Sequence, residues 1–164
     1  VLQAQENVAV SPWPDRIEVI HSALQEFDAS EKFDVIISNP PYFIDSQLSP
    51  DAARSTARHT TTLPFNELVT GVRRLLADGG HFSLILPPTE MERFRSAARG
   101  VMFVVRECHV WSTPTSGVRR IMAEFQAEPP TELTAAEKII IEEKGRHEYS
   151  EEYRTLTRDF YLKF

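Results

Sequence analysis

Residues 33–37 read Phe-Asp-Val-Ile-Ile, a mostly apolar run rich in β-branched side chains and without strict alternation. Such a run fits a strand buried on both faces, as in a parallel sheet covered by helices. Further on, Phe65, Leu68, Val69, Val72, Leu75 and Leu76 recur at helical spacing, and Asp78-Gly79-Gly80 supplies a stop, so a helix is expected over 65–77. His81 to Leu86 reads as a second buried strand closed by Pro87-Pro88, and Glu90 to Arg99 as another helix. Met102 to Val110 and Val118 to Gln126 read as strands separated only by the turn-rich Trp111 to Gly117, so they must pair as a hairpin.

The ends of the chain are less regular. A helix is expected over Leu2 to Val10, ended by Ser11-Pro12-Trp13-Pro14; Arg16 to Ala23 reads as a strand, with Leu24 to Ser30 returning toward the sheet. Downstream, Thr131 to Lys138 reads as a helix opened by a capping box from Thr134 to Glu137, and Ile139 to Ile141 as a short strand. Ser150 is a fair N-cap for a last helix, whose Tyr153, Leu156, Phe160 and Tyr161 read as core-packing residues. The whole describes an α/β fold with a mostly parallel sheet and a C-terminal antiparallel strand pair.

Composition narrows the class. At 164 residues and 41% hydrophobic the chain is sized for one core, and it has no apolar run long enough to span a membrane. The single cysteine, Cys108, excludes an internal disulfide, sits among apolar residues, and reads as a small core residue; a cytoplasmic protein is the default. The five histidines are scattered, with no metal-ligand spacing and no Ser-His-Asp set. A net charge of −6 gives no global basic field and weighs against a nucleic-acid partner, although Arg73-Arg74, Arg93/Arg95/Arg99 and Arg119-Arg120 form local groups.

The candidate chemistry lies where the first buried strand stops. Ser38-Asn39-Pro40-Pro41-Tyr42-Phe43 ends it at two prolines, which fix φ, remove donors and push Asn39 out of the helical region. The result is a stiff extended tip carrying an amide and then an aromatic ring, at the strand end where open α/β sheets bind ligands. Such a tip suits group transfer onto an amine conjugated to a flat ring or carbonyl. The Asn39 side-chain oxygen and the adjacent backbone carbonyl can accept both amine hydrogens, aiming the nitrogen lone pair at an electrophile. A ring at Tyr42 can stack on the planar group for about 1–3 kcal/mol. No strong base is required, and catalysis is positioning and preorganised dipoles.

Asn39-Pro40-Pro41-Tyr42 after a buried strand resembles the catalytic motif of the amino-group methyltransferases that use S-adenosylmethionine, which have a Rossmann-like sheet. Three features together, Ile36 to Tyr42, Thr60-Thr61-Thr62-Leu63, and Tyr149 to Tyr153 with Leu156-Thr157 and Phe160-Tyr161-Leu162, resemble the bacterial family that methylates the adenine next to the anticodon of a valine tRNA. That resemblance implies catalytic roles for Asn39, Pro40, Pro41 and Tyr42 and a tRNA partner, without metal or membrane. By its length, polarity and place beside Tyr42 the 44–62 stretch reads either as a substrate-facing lid or as a solvated surface loop, with Phe43, Arg54 and Arg58 the candidate substrate contacts. The resemblance also places Ser22 and Ala23 at the loop against the cofactor adenine, where many relatives have an acidic residue, and makes Asn39 a further cofactor contact. A release-factor glutamine methyltransferase or a ribosomal guanine amino-methyltransferase shares the tip, and a degenerate RNA- or partner-binding domain is the non-enzymatic alternative.

The same family begins with a strand and Gly-rich turn that cradle the cofactor, and no G-x-G follows a strand here. The expectation is therefore the C-terminal two-thirds of one methyltransferase domain, 1–128 as Rossmann-like core and 129–164 as family-specific extension, without the first βαβ portion. On that reading these 164 residues alone bind S-adenosylmethionine weakly or not at all. Isothermal titration returning micromolar affinity would refute it.

Overall fold

The computed structural model describes residues 1–41, 63–132 and 134–161, in two units, Val1–Ser30 and Glu31–Phe164. The first holds α1 (Leu2–Ala9), which buries no side chain, a 3-10 turn (Pro14–Arg16) and a turn at Ala23 closed by the Phe27 amide at 2.9 Å. The strand expected over Arg16 to Ala23 is not formed. Ile17 is extended (φ −124°, ψ 124°), as β-branched residues prefer, but residues 17–23 have no ladder partner among the described residues.

In chain order the second unit runs β1 (Phe33–Ser38), α2 (Phe65–Leu75), β2 (Leu76–Leu86), α3 (Pro88–Ala98), β3 (Phe103–Trp111), β4 (Val118–Gln126), β5 (Glu137–Ile140) and α4 (Glu151–Thr157). Among the described residues these strands make one five-stranded sheet in the order β1-β2-β4-β3-β5. β1 lies parallel to β2; β4 is antiparallel to both β2 and β3; β5 is parallel to β3. The antiparallel β3–β4 pair expected from their short connection is thus present. The sheet is the Rossmann-like α/β arrangement, with β1, β2, β3 and β5 running the same way and β4 antiparallel between β2 and β3.

One face of this sheet is the core. Phe82, Leu84 and Leu86 of β2 and Ile121, Ala123 and Phe125 of β4 are all buried. Against them lie Leu68, Val69, Val72 and Leu75 of α2 and Met91 and Phe94 of α3. Phe94 is the hub: its ring meets Phe125 at 5.1 Å and Phe65 at 5.5 Å edge-on, and Phe82 at 5.9 Å. Edge-to-face pairs add about 0.5–1.5 kcal/mol each beyond area burial. Charges pin the same layer, since Arg95 of α3 bonds Glu107 of β3 as well as Glu92.

Helix boundaries differ in detail. α2 ends at Leu75, with Arg73 and Arg74 in its last turn where cations suit the helix dipole. β2 begins at once, and its register against β1 jumps from Leu76 to His81, so Asp78-Gly79-Gly80 forms an irregularity in the strand. α3 starts at Pro88, because proline at N1 lacks only an amide the helix would not use.

Three further expectations are corrected. β1 is not buried on both faces: Val35 is 57% and Ile37 78% exposed, because β1 is the edge of the described sheet. Thr131 to Lys138 is not a helix. Ile139 and Ile140 gain a ladder on β3, and Glu137 and Lys138 are drawn into it, so pairing overrides a weak local helix preference. The last helix is capped as expected, Ser150 Oγ accepting from the Tyr153 amide, yet Leu156, Phe160 and Tyr161 are exposed. At seven residues α4 is too short to carry them to the core; instead Tyr153 packs on Tyr149 and Tyr161 at 5.6 and 6.3 Å.

Gly80 marks where the sheet tolerates nothing larger. A Cβ there would lie 3.0 Å from the carbonyl oxygens of Ala77 and Asp34, both backbone. Gly80→Ala is expected to cost about 1–3 kcal/mol, read as a lower midpoint in urea unfolding, whereas Gly145→Ala, facing only the flexible Glu148 side chain at 3.5 Å, should be near neutral.

Candidate active site

The β1–β2 register, Ile37 to Ser83 and Ser38 to Leu84, fixes where the tip emerges. Asn39, Pro40 and Pro41 leave at the carboxyl end of β1, level with the end of β2. Asn39 is exposed, Pro40 buried and Pro41 exposed, so a buried ring anchors an amide that faces outward. Proline at 41 also keeps the Pro40 carbonyl, the expected backbone acceptor, out of any helix. The candidate residues Tyr42, Phe43, Arg54 and Arg58, and the stretch between them, lie outside the described residues. Ser22 and Ala23 belong to the first unit, are exposed, and share a hydrogen bond from Ser22 Oγ to the Ala23 carbonyl at 3.0 Å.

Beside the tip, the sheet face opposite α2 and α3 holds a cleft of about 720 Å³. Asn39 and Ile37 line it at β1; Ile85, Met122 and Cys108 form its floor, and Leu156 of α4 overhangs it. Its charged wall is a two-bond pair in which Arg106 Nε and Nη2 donate to the Glu137 carboxylate at 2.7 and 3.1 Å. Those bonds hold the Glu137 carboxyl below its ordinary range and raise the already high Arg106 value. Burial, reinforced by Glu137 and Glu152, pushes the Cys108 thiol up. A protonated thiol is a poor nucleophile. Cys108 is 8% exposed, as its reading as a small core residue implies.

The topology also sorts the cations. α2 ends where β2 starts and α3 ends where β3 starts, so Arg73, Arg74 and Arg99 sit at the edge opposite Asn39. Arg93 bonds Glu90, and Arg95 bonds Glu92 and Glu107. Arg119 and Arg120 differ. β4 runs antiparallel to β2 with Ile121 opposite Leu86, so both arginines stand, exposed, on the same edge as Asn39. The doublet was visible in the sequence; its place beside the tip is a matter of register alone.

Comparison with known proteins bears on the fold and the family. Residues 5–110 match the Eco57I restriction-modification methylase family. Among solved structures, a predicted O-methyltransferase from Agrobacterium tumefaciens superposes with a TM-score of 0.59 at 17% identity, over 96% of this chain and 68% of that one. The fold is therefore that of a Rossmann-like methyltransferase. A protein of Bacteroides thetaiotaomicron named tRNA1(Val) (adenine(37)-N6)-methyltransferase is 41% identical over 161 residues, 98% of this chain and 67% of the relative. One of the same name from Parabacteroides distasonis is 42% identical over 165 residues, 99% of this chain and 69% of the relative. The chain belongs to the tRNA1(Val) (adenine(37)-N6)-methyltransferase family and spans about two thirds of the length of these relatives.

Because its thiol is buried and its ionisation opposed, Cys108 should react slowly in the native protein. Alkylation by iodoacetamide at pH 8, followed by mass spectrometry, is expected to run at least about tenfold slower than in the urea-unfolded chain.

Proposed function

We propose that this chain carries the amine-positioning part of an S-adenosylmethionine-dependent methyltransferase acting on the N6 amine of an adenine in a tRNA anticodon loop, that of a valine tRNA, in the cytoplasm. The observation that supports it is the exposed Asn39 held by a buried Pro40 at the carboxyl end of β1. A pair of acceptors there, one side-chain and one backbone oxygen, matches the two N–H donors of an aromatic amine.

S-adenosylmethionine, when bound, supplies a methyl group to an in-line nucleophile. The tip fits the acceptor side of that chemistry, and no glycine-rich turn follows a strand in these 164 residues. Asn39 and the adjacent carbonyl take one hydrogen bond each from the amine. The nitrogen becomes more pyramidal and its lone pair turns outward. Reaching that amine in a structured RNA requires the base to leave its stack, and a ring at Tyr42 would receive it. The proton departs after the new bond forms, so no general base is assigned. Pro40, locked and buried, supplies the rigidity that keeps both acceptors aimed.

The full-length protein with labelled S-adenosylmethionine and tRNA lacking the modification is expected to place label in N6-methyladenosine. Label on protein glutamine or ribosomal guanine instead would keep the Asn39 mechanism and overturn the substrate. Asn39→Ala should lower the rate about 100-fold or more with S-adenosylmethionine binding nearly intact; equal loss of both would count against the assigned role.

A further inference from the structure

The stretch from Cys108 to Ala123 carries no Asp or Glu, although the chain as a whole has 24 acidic residues against 18 Lys and Arg. Within it the β3–β4 hairpin turns at the edge of the sheet from which Asn39 emerges. β4 is two strands from β1, about 10 Å at the usual spacing. Ile121 stands opposite Leu86, so Arg120 and Arg119 lie one and two residues further out, at the level of Pro41 and beyond.

This tip is preorganised. Val110 pairs with Arg120 but Trp111 pairs with Val118, so β4 has one extra residue there, a bulge at Val118–Arg119. Bulges re-aim side chains and recur beside functional sites. Here two consecutive arginines are both exposed. Gly117, at φ +73°, makes the turn possible, and Ser116 ties it: its Oγ accepts from the Thr113 amide at 3.2 Å, and its own amide donates to the Thr113 carbonyl at 3.1 Å. From the neighbouring β5, Lys138 Nζ lies 4.1 Å above the Trp111 ring, a third cation beside the hairpin, where Glu142, its amide on the Ser112 carbonyl at 2.9 Å, is a neighbouring acid.

We infer that this hairpin tip is the phosphate grip for the RNA strand beside the target adenosine, with Arg119 and Arg120 on consecutive phosphates and Lys138, held on Trp111, flanking them. The inference rests on the tRNA reading above and adds to it the course of the strand, from the Asn39 tip across the end of β2 to β4. It also answers the net charge of −6: a single flexible loop strand needs a local patch, not a basic surface.

The test uses the full-length protein with valine tRNA, comparing Arg119→Ala/Arg120→Ala with Arg119→Lys/Arg120→Lys. The alanine pair is expected to raise KM for tRNA about tenfold or more, to leave kcat and S-adenosylmethionine affinity within about twofold, and to make the slope of log K against log salt shallower by about two. The lysine pair should recover most of the affinity, which a merely structural role would not require; melting curves check that both variants fold. Unchanged KM and salt slope in the alanine pair, with tRNA still methylated, would overturn the phosphate grip and leave the tRNA reading standing. Equal losses in kcat and cofactor affinity would also overturn it. Failure of the unsubstituted protein to methylate any tRNA would overturn both.

Discussion

The interaction on which the larger unit depends is the burial of Phe94 between α3 and the sheet. Its ring touches Phe82 on β2, Phe125 on β4 and Phe65 on α2, so a single side chain ties two helices to the two central strands. Removing a buried phenylalanine typically costs about 3–5 kcal/mol, comparable to a large share of a domain's net stability. The remaining strands follow from this layer. β1 and β3 add to its flanks by pairing, and β5 adds to β3.

Because that layer takes only one face, the two sides of the sheet have different characters. The Phe94 side is closed and apolar, with Glu107 and Arg95 paired at its margin. The other side is a trough whose floor is Ile85, Met122 and Cys108 and whose wall is the Arg106–Glu137 pair. The proposed functional elements lie at the margin of both faces. They stand at the edge where β1 and β2 end and the β3–β4 hairpin turns, which is where strand ends release backbone groups from the ladder and leave them free for a ligand.

The tail shows how local preference and tertiary context compete. Ser150 caps α4 with its Oγ and donates to the Ile140 carbonyl at 2.5 Å, so one buried hydroxyl starts the helix and ties it to β5. The aromatics beyond it have the spacing of a core helix but meet one another instead. The Tyr153 and Tyr161 hydroxyls lie 3.1 Å apart, and that bond, with burial, pushes Tyr153 up to about 12. Spacing described a face; only the neighbours determined what the face met.

The sequence by itself determined the elements whose signal is local and strong: the 3.6-residue stripe of α2, the β-branched run of β1, the cap at Ser150, and the stiff Asn39-Pro40-Pro41 tip. Each rests on dihedral restriction or on the period of apolar positions, which the chain carries wherever it folds. Tertiary structure decided what depends on a partner: that residues 17–23 remain without a ladder, that Glu137 and Lys138 join a strand, and that β1 has an exposed face. It also decided that Arg119 and Arg120, 80 residues or more from Asn39 along the chain, stand on the same edge of the sheet. Strand pairing spends backbone hydrogen bonds between distant segments, and no local pattern encodes which distant segment will be there.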